Sequence, residues 1–211
     1  MEEACRLTSQ SDLSETERLL RKLDRGDASA LAKLLTINRD YVKRVVDLRM
    51  DDALRARVDP SDVVQETQLV VTDRIDDYLQ RRPTSFRIWL RRKTLEKLTD
   101  VRRRHMAGKR DARREMRLSD ASSLSIAQQL LAARPSRMLR RKELAQQVRD
   151  AIESLHELDR EVILLRYVEA LTNAEVAELL EIDPATARKR HGRAIRRLGE
   201  YLAALGVSGE G

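Results

Sequence analysis

The segment from Thr172 to Leu198 constrains the fold most, because it predicts two short helices joined by a tight turn. Thr172 and Glu175 have the spacing of a capping box at the start of the first helix. Asp183 followed by Pro184 is typical of the start of the second helix. That second helix carries six basic and no acidic residues up to Leu198: Arg188, Lys189, Arg190, Arg193, Arg196 and Arg197. A cationic helix behind a sharp turn predicts a helix-turn-helix that enters the major groove of DNA.

The position of each residue along the second helix predicts its contact. Residues near the helix start reach base edges, and the candidates are Thr186, Arg188, Lys189 and Arg190. Residues further along are better placed for phosphates, and these are Arg193, Arg196 and Arg197. A solvated basic helix that closes a bundle is the alternative. The turn carries Glu181 where Gly is common, and a left-handed Glu would cost on the order of 1 kcal/mol.

The composition favours an all-α protein of one or two small domains. The chain has 211 residues, 41% of them hydrophobic and only 3% aromatic, with seven Gly and four Pro. So few turn-forming residues leave little room for a turn-rich β fold. The one cysteine, Cys5, excludes an internal disulfide framework. Because there is no signal peptide and no apolar run near 18 residues, the sequence predicts a cytoplasmic protein.

The sequence contains no arrangement typical of an enzyme. His105, His156 and His191 are scattered, and there is no Ser-His-Asp order, phosphate-binding glycine loop or pair of catalytic carboxylates. We therefore expect no catalytic activity, no metal and no cofactor.

Charge and composition divide the chain into two helical domains. Residues 81–117 hold 15 basic and four acidic residues, so the chain has two separate cationic surfaces, which favour two contacts with a polyanion. Residues 118–138 are rich in Ser and Ala, as is typical of a linker. We predict an N-terminal tail (1–14), a helical domain (15–117), the linker (118–138), a helix-turn-helix domain (139–205) and a C-terminal tail (206–211).

Two long helices are predicted within the first domain, one from about Ala28 to Leu54 and one from Asp59-Pro60 to about Leu79. Four residues of the second helix, at i, i+3, i+4 and i+7, share one side: Asp62, Gln65, Glu66 and Leu69. This face is acidic and amide-rich with an apolar edge, and it suits a partner helix that carries Arg and Lys. A solvated face with an acidic helix start is the alternative.

Three segments in this order resemble the sigma factors of bacterial RNA polymerase, in particular the compact extracytoplasmic-function (ECF) group. Asp59–Thr67 (DPSDVVQET) is similar to the family's polymerase-docking helix. Ser85–Arg104 (SFRIWLRRKTLEKLTDVRRR) is similar to its segment for promoter melting and downstream-element recognition. Leu158–Leu198 resembles its C-terminal domain. The spacing and the basic run Lys109–Glu115 (KRDARRE) are similar to ECF-like members from planctomycete-type bacteria.

The resemblance implies a set of residues for each contact. Core polymerase is expected to bind Asp62, Val63, Gln65, Glu66, Thr67 and Leu69. The downstream promoter element is expected to bind Ser85, Trp89, Arg92, Lys93, Lys97, Arg102, Arg103 and Arg104. The upstream element, read as duplex, is expected to bind Thr186, Arg188, Lys189, Arg190, Arg193 and Arg197. The loop Arg82–Ser85 would hold an unstacked base.

The function implied is that of a sigma factor, which directs promoter recognition and transcription initiation. The partners implied are bacterial core RNA polymerase, promoter DNA and an unidentified anti-sigma factor or other regulator, with no membrane. Two alternatives remain open. A free-standing helix-turn-helix regulator that binds operator DNA without polymerase would leave Asp59–Thr67 and the basic surface of Ser85–Arg117 unused. An all-α nuclease would need a metal-binding carboxylate cluster that the sequence does not contain.

Overall fold

The computed structural model describes residues 14–105, 122–123, 126 and 138–204. All regular structure in these ranges is helical, so the prediction of an all-α fold is confirmed. The predicted N-terminal tail with Cys5, the basic run Lys109–Glu115, most of the linker and the C-terminal tail lie outside the described residues. The described helices divide between two compact units, one before residue 117 and one after it. The limits of the domains and of the linker stay predictions.

The described part of the N-terminal unit contains five helices: α1 (14–24), α2 (Ser29–Arg49), α3 (Asp52–Arg55), α4 (Pro60–Arg81) and α5 (Phe86–His105). Helices α2, α4 and α5 pack against one another. Their apolar side chains recur at helical spacing and are buried, as in Leu34, Val45, Val63, Val71, Leu90 and Leu98. Burying each such side chain contributes roughly 1.5–3 kcal/mol. The opposite face of α4 is left to solvent, as is that of α5 beyond Arg91.

The single helix predicted from Ala28 to Leu54 is wrong, because the chain breaks between α2 and α3. Helix α2 ends at Arg49, and Met50 is extended with φ −93° and ψ 116°. Asp51 then caps α3, since its carboxylate accepts a hydrogen bond from the backbone N–H of Leu54 at 2.9 Å. Apolar spacing continues across this break, so periodicity alone could not reveal the cap.

Helix α4 begins as predicted and ends two residues later than predicted, at Arg81. The carboxylate of Asp59 accepts a hydrogen bond from Ser61 N at 2.7 Å, and Pro60 occupies the first turn. Three aromatic rings then pack at the corner between α4 and α5, with centroids 4.9 to 5.7 Å apart: Tyr78, Phe86 and Trp89. This aromatic cluster fixes the start of α5 against the end of α4.

The described part of the C-terminal unit contains α6 (Met138–Glu153), α7 (Glu157–Tyr167), α8 (Asn173–Leu180) and α9 (Pro184–Ala204). Helix α9 packs against each of the other three. Its inner face is buried and made of small and aliphatic side chains at helical spacing: Ala187, Ala194, Leu198 and Leu202. The basic side chains of α9 therefore lie on its other sides. Among the helices that the structure describes, none is both long and apolar enough to cross a membrane.

Candidate nucleic-acid interface and docking surface

The turn between α8 and α9 has the geometry of a helix-turn-helix. The Thr172 hydroxyl accepts a hydrogen bond from Glu175 N at 3.2 Å, and Glu175 Oε2 accepts one from Thr172 N at 2.7 Å, so the predicted capping box is present. Glu181 ends α8 in the left-handed conformation, with φ 53° and ψ 42°. Ile182 N donates to Ala177 O at 3.0 Å and closes the turn. The predicted helix-turn-helix is confirmed, with strain of about 1 kcal/mol at Glu181.

Helix α9 begins at a fully formed cap. One carboxylate oxygen of Asp183 accepts hydrogen bonds from Ala185 N and Thr186 N, both at 2.9 Å, and the other accepts the Thr186 hydroxyl. The bond from that hydroxyl is the main cause that holds the pKa of Asp183 below its ordinary value. Since the Thr186 hydroxyl donates to the cap, only its acceptor capacity remains for DNA. That capacity suits an exocyclic amino group of a base and not a phosphate oxygen.

The six basic residues of α9 fall into two sets. The inner set lies at i, i+3 and i+7 and consists of Arg190, Arg193 and Arg197. All three guanidinium groups reach the carboxylate of Asp159 on α7. The outer set consists of Arg188, Lys189 and Arg196. These three side chains are exposed and have no ionic partner among the residues that the structure describes.

Asp159 is a residue that sequence reasoning did not single out. It lies in the first turn of α7, and its side chain is only 2% exposed. Arg193 forms a two-pronged contact with it, Nε to Oδ2 and Nη2 to Oδ1, both at 3.1 Å. Arg197 Nη1 lies 3.3 Å from Oδ2, and Arg190 Nη1 lies 3.8 Å from Oδ1. An acidic residue near a helix start is an ordinary sequence feature, so no local pattern could predict contacts with residues more than 30 positions away.

The acidic face predicted on α4 forms in the structure. Asp62, Gln65 and Leu69 are exposed, and Glu66 is half-buried beside them. Leu69 is 65% exposed, which is unusual for a large aliphatic side chain. An exposed apolar side chain within a polar rim is the usual centre of a protein-protein contact.

Val63 and Thr67 do not belong to this face, contrary to the set that the resemblance implies. Both side chains are fully buried, and the Thr67 hydroxyl donates to Val63 O at 2.8 Å within the helix. They lie at i and i+4 on the opposite side of α4 from Leu69, where the helix packs on the core. Their side chains belong to the core packing in this structure, and their contact with core polymerase stays a prediction.

Glu66 joins the α4 face to the basic face of α5. Its Oε2 lies 2.7 Å from Arg104 Nη2 and 3.4 Å from Lys97 Nζ. Burial acts to raise the pKa of Glu66, but the hydrogen bonds and charges of Arg104 and Lys97 outweigh it and hold the pKa below its ordinary value. The structure thus brings together residues that the resemblance placed in two separate contacts.

The other basic residues of α5 that are expected to bind the promoter differ in whether an acidic side chain pairs with them. Lys93 pairs with Glu96 at 2.8 Å, Arg103 with Asp100 at 2.5 Å, and Arg102 with Asp51 at 2.6 Å. Arg92 is exposed and has no ionic partner among the described residues. Surface pairs of neighbouring residues on one helix are weak, so Lys93 and Arg103 can exchange their partners for phosphates.

Trp89 is a core residue in this structure, and its expected contact with the downstream promoter element stays a prediction. The side chain is 6% exposed and packs between Tyr78 and Phe86. Ser85 is half-buried just before α5, and its carbonyl accepts the N–H of Trp89 at 3.0 Å. Spacing placed Phe86 and Trp89 on one side of the helix, but only packing shows that this side faces inward.

Within the described ranges, no three His, Cys, Asp or Glu side chains come together in a group that could hold a metal ion. The candidate surfaces are therefore the basic helices α5 and α9 and the acidic face of α4.

Comparison with known proteins agrees with this geometry. Residues 145–198, which include α7, α8 and most of α9, match the family described as "Sigma-70, region 4". Two curated relatives, the RNA polymerase sigma factors FliA of Salmonella typhimurium (strain LT2) and of Salmonella typhi, are each 38% identical over 71 residues. Those residues are 34% of this chain and 30% of each relative, so the chain spans less than a third of the length of the curated relatives it matches.

Among solved structures, that of CnrH in complex with the cytosolic domain of CnrY superposes with a TM-score of 0.49 and 22% sequence identity. The superposition covers 92% of this chain and 97% of the matched chain. The predicted resemblance of the C-terminal segment to sigma factors is confirmed by the region 4 match, and the planctomycete-type subgroup stays a prediction. The helix-turn-helix segment, residues 145–198, is therefore similar to region 4 of the sigma-70 factors.

Proposed function

We propose that this chain is an ECF-type sigma factor, which binds core RNA polymerase and directs promoter recognition and transcription initiation. The observation that carries the proposal is the region 4 match to residues 145–198, on a helix-turn-helix whose second helix presents an outer set of exposed cations with no ionic partner in the described ranges. Members of this family are not enzymes. We infer that this chain likewise has no catalytic activity of its own and works in the cytoplasm, where polymerase is.

In this proposal each of the three surfaces, on α4, α5 and α9, has its own binding partner. Helix α4 docks on core polymerase through Asp62, Gln65 and Leu69, with Glu66 at the edge of the contact. The basic face of α5 tracks phosphates of the downstream element, mainly through Arg92, Lys97 and Arg104. Helix α9 meets the upstream element as duplex. Two modest contacts joined in one polypeptide act as one strong contact when the geometry permits both.

The docking step is tested by removing two exposed side chains of the α4 face together, Gln65→Ala with Leu69→Ala. Both side chains are exposed, so the fold should be unaffected, whereas truncation of a hot-spot side chain at the centre of an interface costs about 2 kcal/mol or more. We expect the affinity for purified core polymerase to fall at least tenfold. Arg74→Ala is the matched control, because Arg74 is an exposed residue of α4 that points away from the docking face. Unchanged affinity of the double variant would disprove docking through α4.

Initiation is tested with core polymerase and a library of genomic promoter fragments. A sigma factor yields transcripts from a defined subset of fragments only when both the chain and core enzyme are present. A free-standing regulator would instead shift duplex DNA alone and leave transcription by core enzyme unchanged. The sequence resemblance also suggests a protein regulator of the anti-sigma class, which would bind the chain and reduce its association with core polymerase.

A further inference from the structure

We propose that Asp159 sets the DNA specificity of α9, by holding the inner set of arginines against the protein and lowering the affinity of the helix for duplex of arbitrary sequence. The outer set of Arg188, Lys189 and Arg196 then provides the phosphate contacts. This inference rests on the proposed function, since it concerns how the same helix meets DNA.

The burial of Asp159 is the first reason. Its side chain is 2% exposed while the guanidinium groups are in place, and moving them to phosphates would take away the cations that offset its charge. An ionised carboxylate that is buried without a partner is strongly unfavourable. The arginines of the inner set are therefore retained when DNA approaches, and they do not exchange their partner for a phosphate as a surface pair would.

The geometry of the contacts is the second reason. Arg193 uses two of its N–H donors on the two oxygens of Asp159, and this planar fork fixes the orientation of its side chain. Arg197 shares oxygen Oδ2 at 3.3 Å, and Arg190 approaches Oδ1 at 3.8 Å. Arg193 and Arg197 are 45% and 51% exposed, so they lie at the surface of α9 while their guanidinium groups are tethered to α7.

The charge balance is the third reason. Non-specific affinity for duplex DNA comes from the phosphates that cations neutralise, and each contact contributes about −0.9 to the slope of log affinity against log salt. A tethered guanidinium whose charge is partly offset can neutralise fewer phosphates than a free one. Asp159 therefore prevents about one to two of the phosphate contacts that the six basic residues of α9 would otherwise make.

The test compares two variants of the full chain that each remove one negative charge from the first turn of α7, Asp159→Asn and Glu157→Gln. Glu157 is exposed and has no partner among the described residues, so its variant controls for net charge alone. The probe is a short random-sequence duplex over a series of salt concentrations. We expect Asp159→Asn to bind at least tenfold more tightly than Glu157→Gln at low salt, with a slope steeper by about 0.9 to 1.8. Equal affinities and slopes for the two folded variants would overturn the inference.

A second comparison leaves Asp159 in place and serves if Asp159→Asn does not fold. Arg193→Gln removes a tethered cation, and Arg196→Gln removes an exposed one that pairs with no acidic residue in the described part of the chain. We expect Arg196→Gln to flatten the salt slope on the random duplex by about 0.9 and Arg193→Gln by less than half of that. Equal flattening would show that Arg193 neutralises a phosphate despite Asp159, and the inference would be wrong.

Failure of this inference and failure of the proposed function have different signatures. Binding to the random duplex needs no polymerase, whereas initiation from promoter fragments needs it. If the wild-type chain did not initiate with core polymerase, the proposed function would fail while the duplex comparison still decided the role of Asp159. If it does initiate, we expect Asp159→Asn to lower the ratio of transcripts from selected promoters to transcripts from random templates at least tenfold. An unchanged ratio would contradict a role in specificity.

Discussion

Glu66 Oε2 on α4 lies 2.7 Å from Arg104 Nη2 on α5, and this contact links the acidic docking face to the basic face beside it. Lys97 adds a second positive charge at 3.4 Å. A partner cation that binds Glu66 would therefore compete with Arg104 and Lys97, which the sequence resemblance assigns to DNA.

Glu66→Gln should remove part of the acid dependence of stability. Burial raises the pKa of Glu66, but Arg104 and Lys97 lower it further than burial raises it. A carboxyl group whose pKa is lowered by folding stabilises the protein above its unfolded pKa, and this stabilisation is lost as the pH falls through the folded pKa. At neutral pH the free energy of unfolding of the native chain should thus exceed that of Glu66→Gln. The difference should be less than about 1 kcal/mol, because Glu66 and its two cationic partners are partly exposed. Urea unfolding at several pH values measures the difference, which should shrink below the ordinary pKa range of glutamate. A constant difference down to about pH 3 would contradict the ion pairs.

Trp89→Leu should lower stability and leave DNA binding by the folded protein unchanged. Replacing a buried indole by a smaller aliphatic side chain leaves a cavity, and we expect a loss of roughly 1–3 kcal/mol in the free energy of unfolding. Arg92→Gln is the opposite case, because Arg92 is exposed and unpaired among the described residues. That variant should keep its stability and weaken promoter binding. Thermal unfolding and promoter binding with core polymerase, measured on both variants, separate the two roles. Weaker promoter binding by folded Trp89→Leu would instead support a direct contact between Trp89 and the promoter.

Glu181→Gly should stabilise the C-terminal unit by up to about 1 kcal/mol, because glycine adopts the left-handed conformation without steric strain. The native φ of 53° and ψ of 42° fit that expectation. Ala174→Gly, on the exposed side of α8, should instead destabilise by about 1 kcal/mol, since there glycine only adds flexibility to the unfolded chain. Unfolding of the native chain and of both variants in guanidinium chloride measures their order of stability. A less stable Glu181→Gly variant would show that the turn depends on the Glu side chain.

Gly192→Ala should stabilise the fold and weaken promoter binding. A Cβ at Gly192 would meet no heavy atom within 4 Å, so helix propensity alone should add about 0.8–1.0 kcal/mol. Gly192 lies four residues from both Arg188 and Arg196, on the exposed side of α9. If that side meets DNA closely, the added methyl group should reduce affinity several-fold. Gly199→Ala, in equally open space but further from the helix start, should give a similar gain in stability with a smaller loss of affinity. Tighter DNA binding by Gly192→Ala would exclude a close approach at this position.

Local features of the fold were predictable, because the residues that decide them are neighbours in the chain. The capping box of Thr172 and Glu175 and the cap at Asp183 each join groups three or fewer positions apart. The shared face of Asp62, Gln65 and Leu69 follows from helical period alone. The break at Met50 was missed, because a polar cap interrupts a helix without interrupting the apolar pattern around it.

The sequence by itself therefore determined where most helices begin, which of them are basic, and that the last pair forms a helix-turn-helix. Only the tertiary structure decided that Trp89 faces the core and that Val63 and Thr67 are buried. It also decided that Asp159 meets Arg193 across 34 positions of chain, and that Glu66 meets Arg104 across 38. Helix caps and the helical spacing of side chains depend on backbone geometry within one or two turns of the helix. The partner of a charge depends on which helices pack together, and that is settled by burial of the whole core.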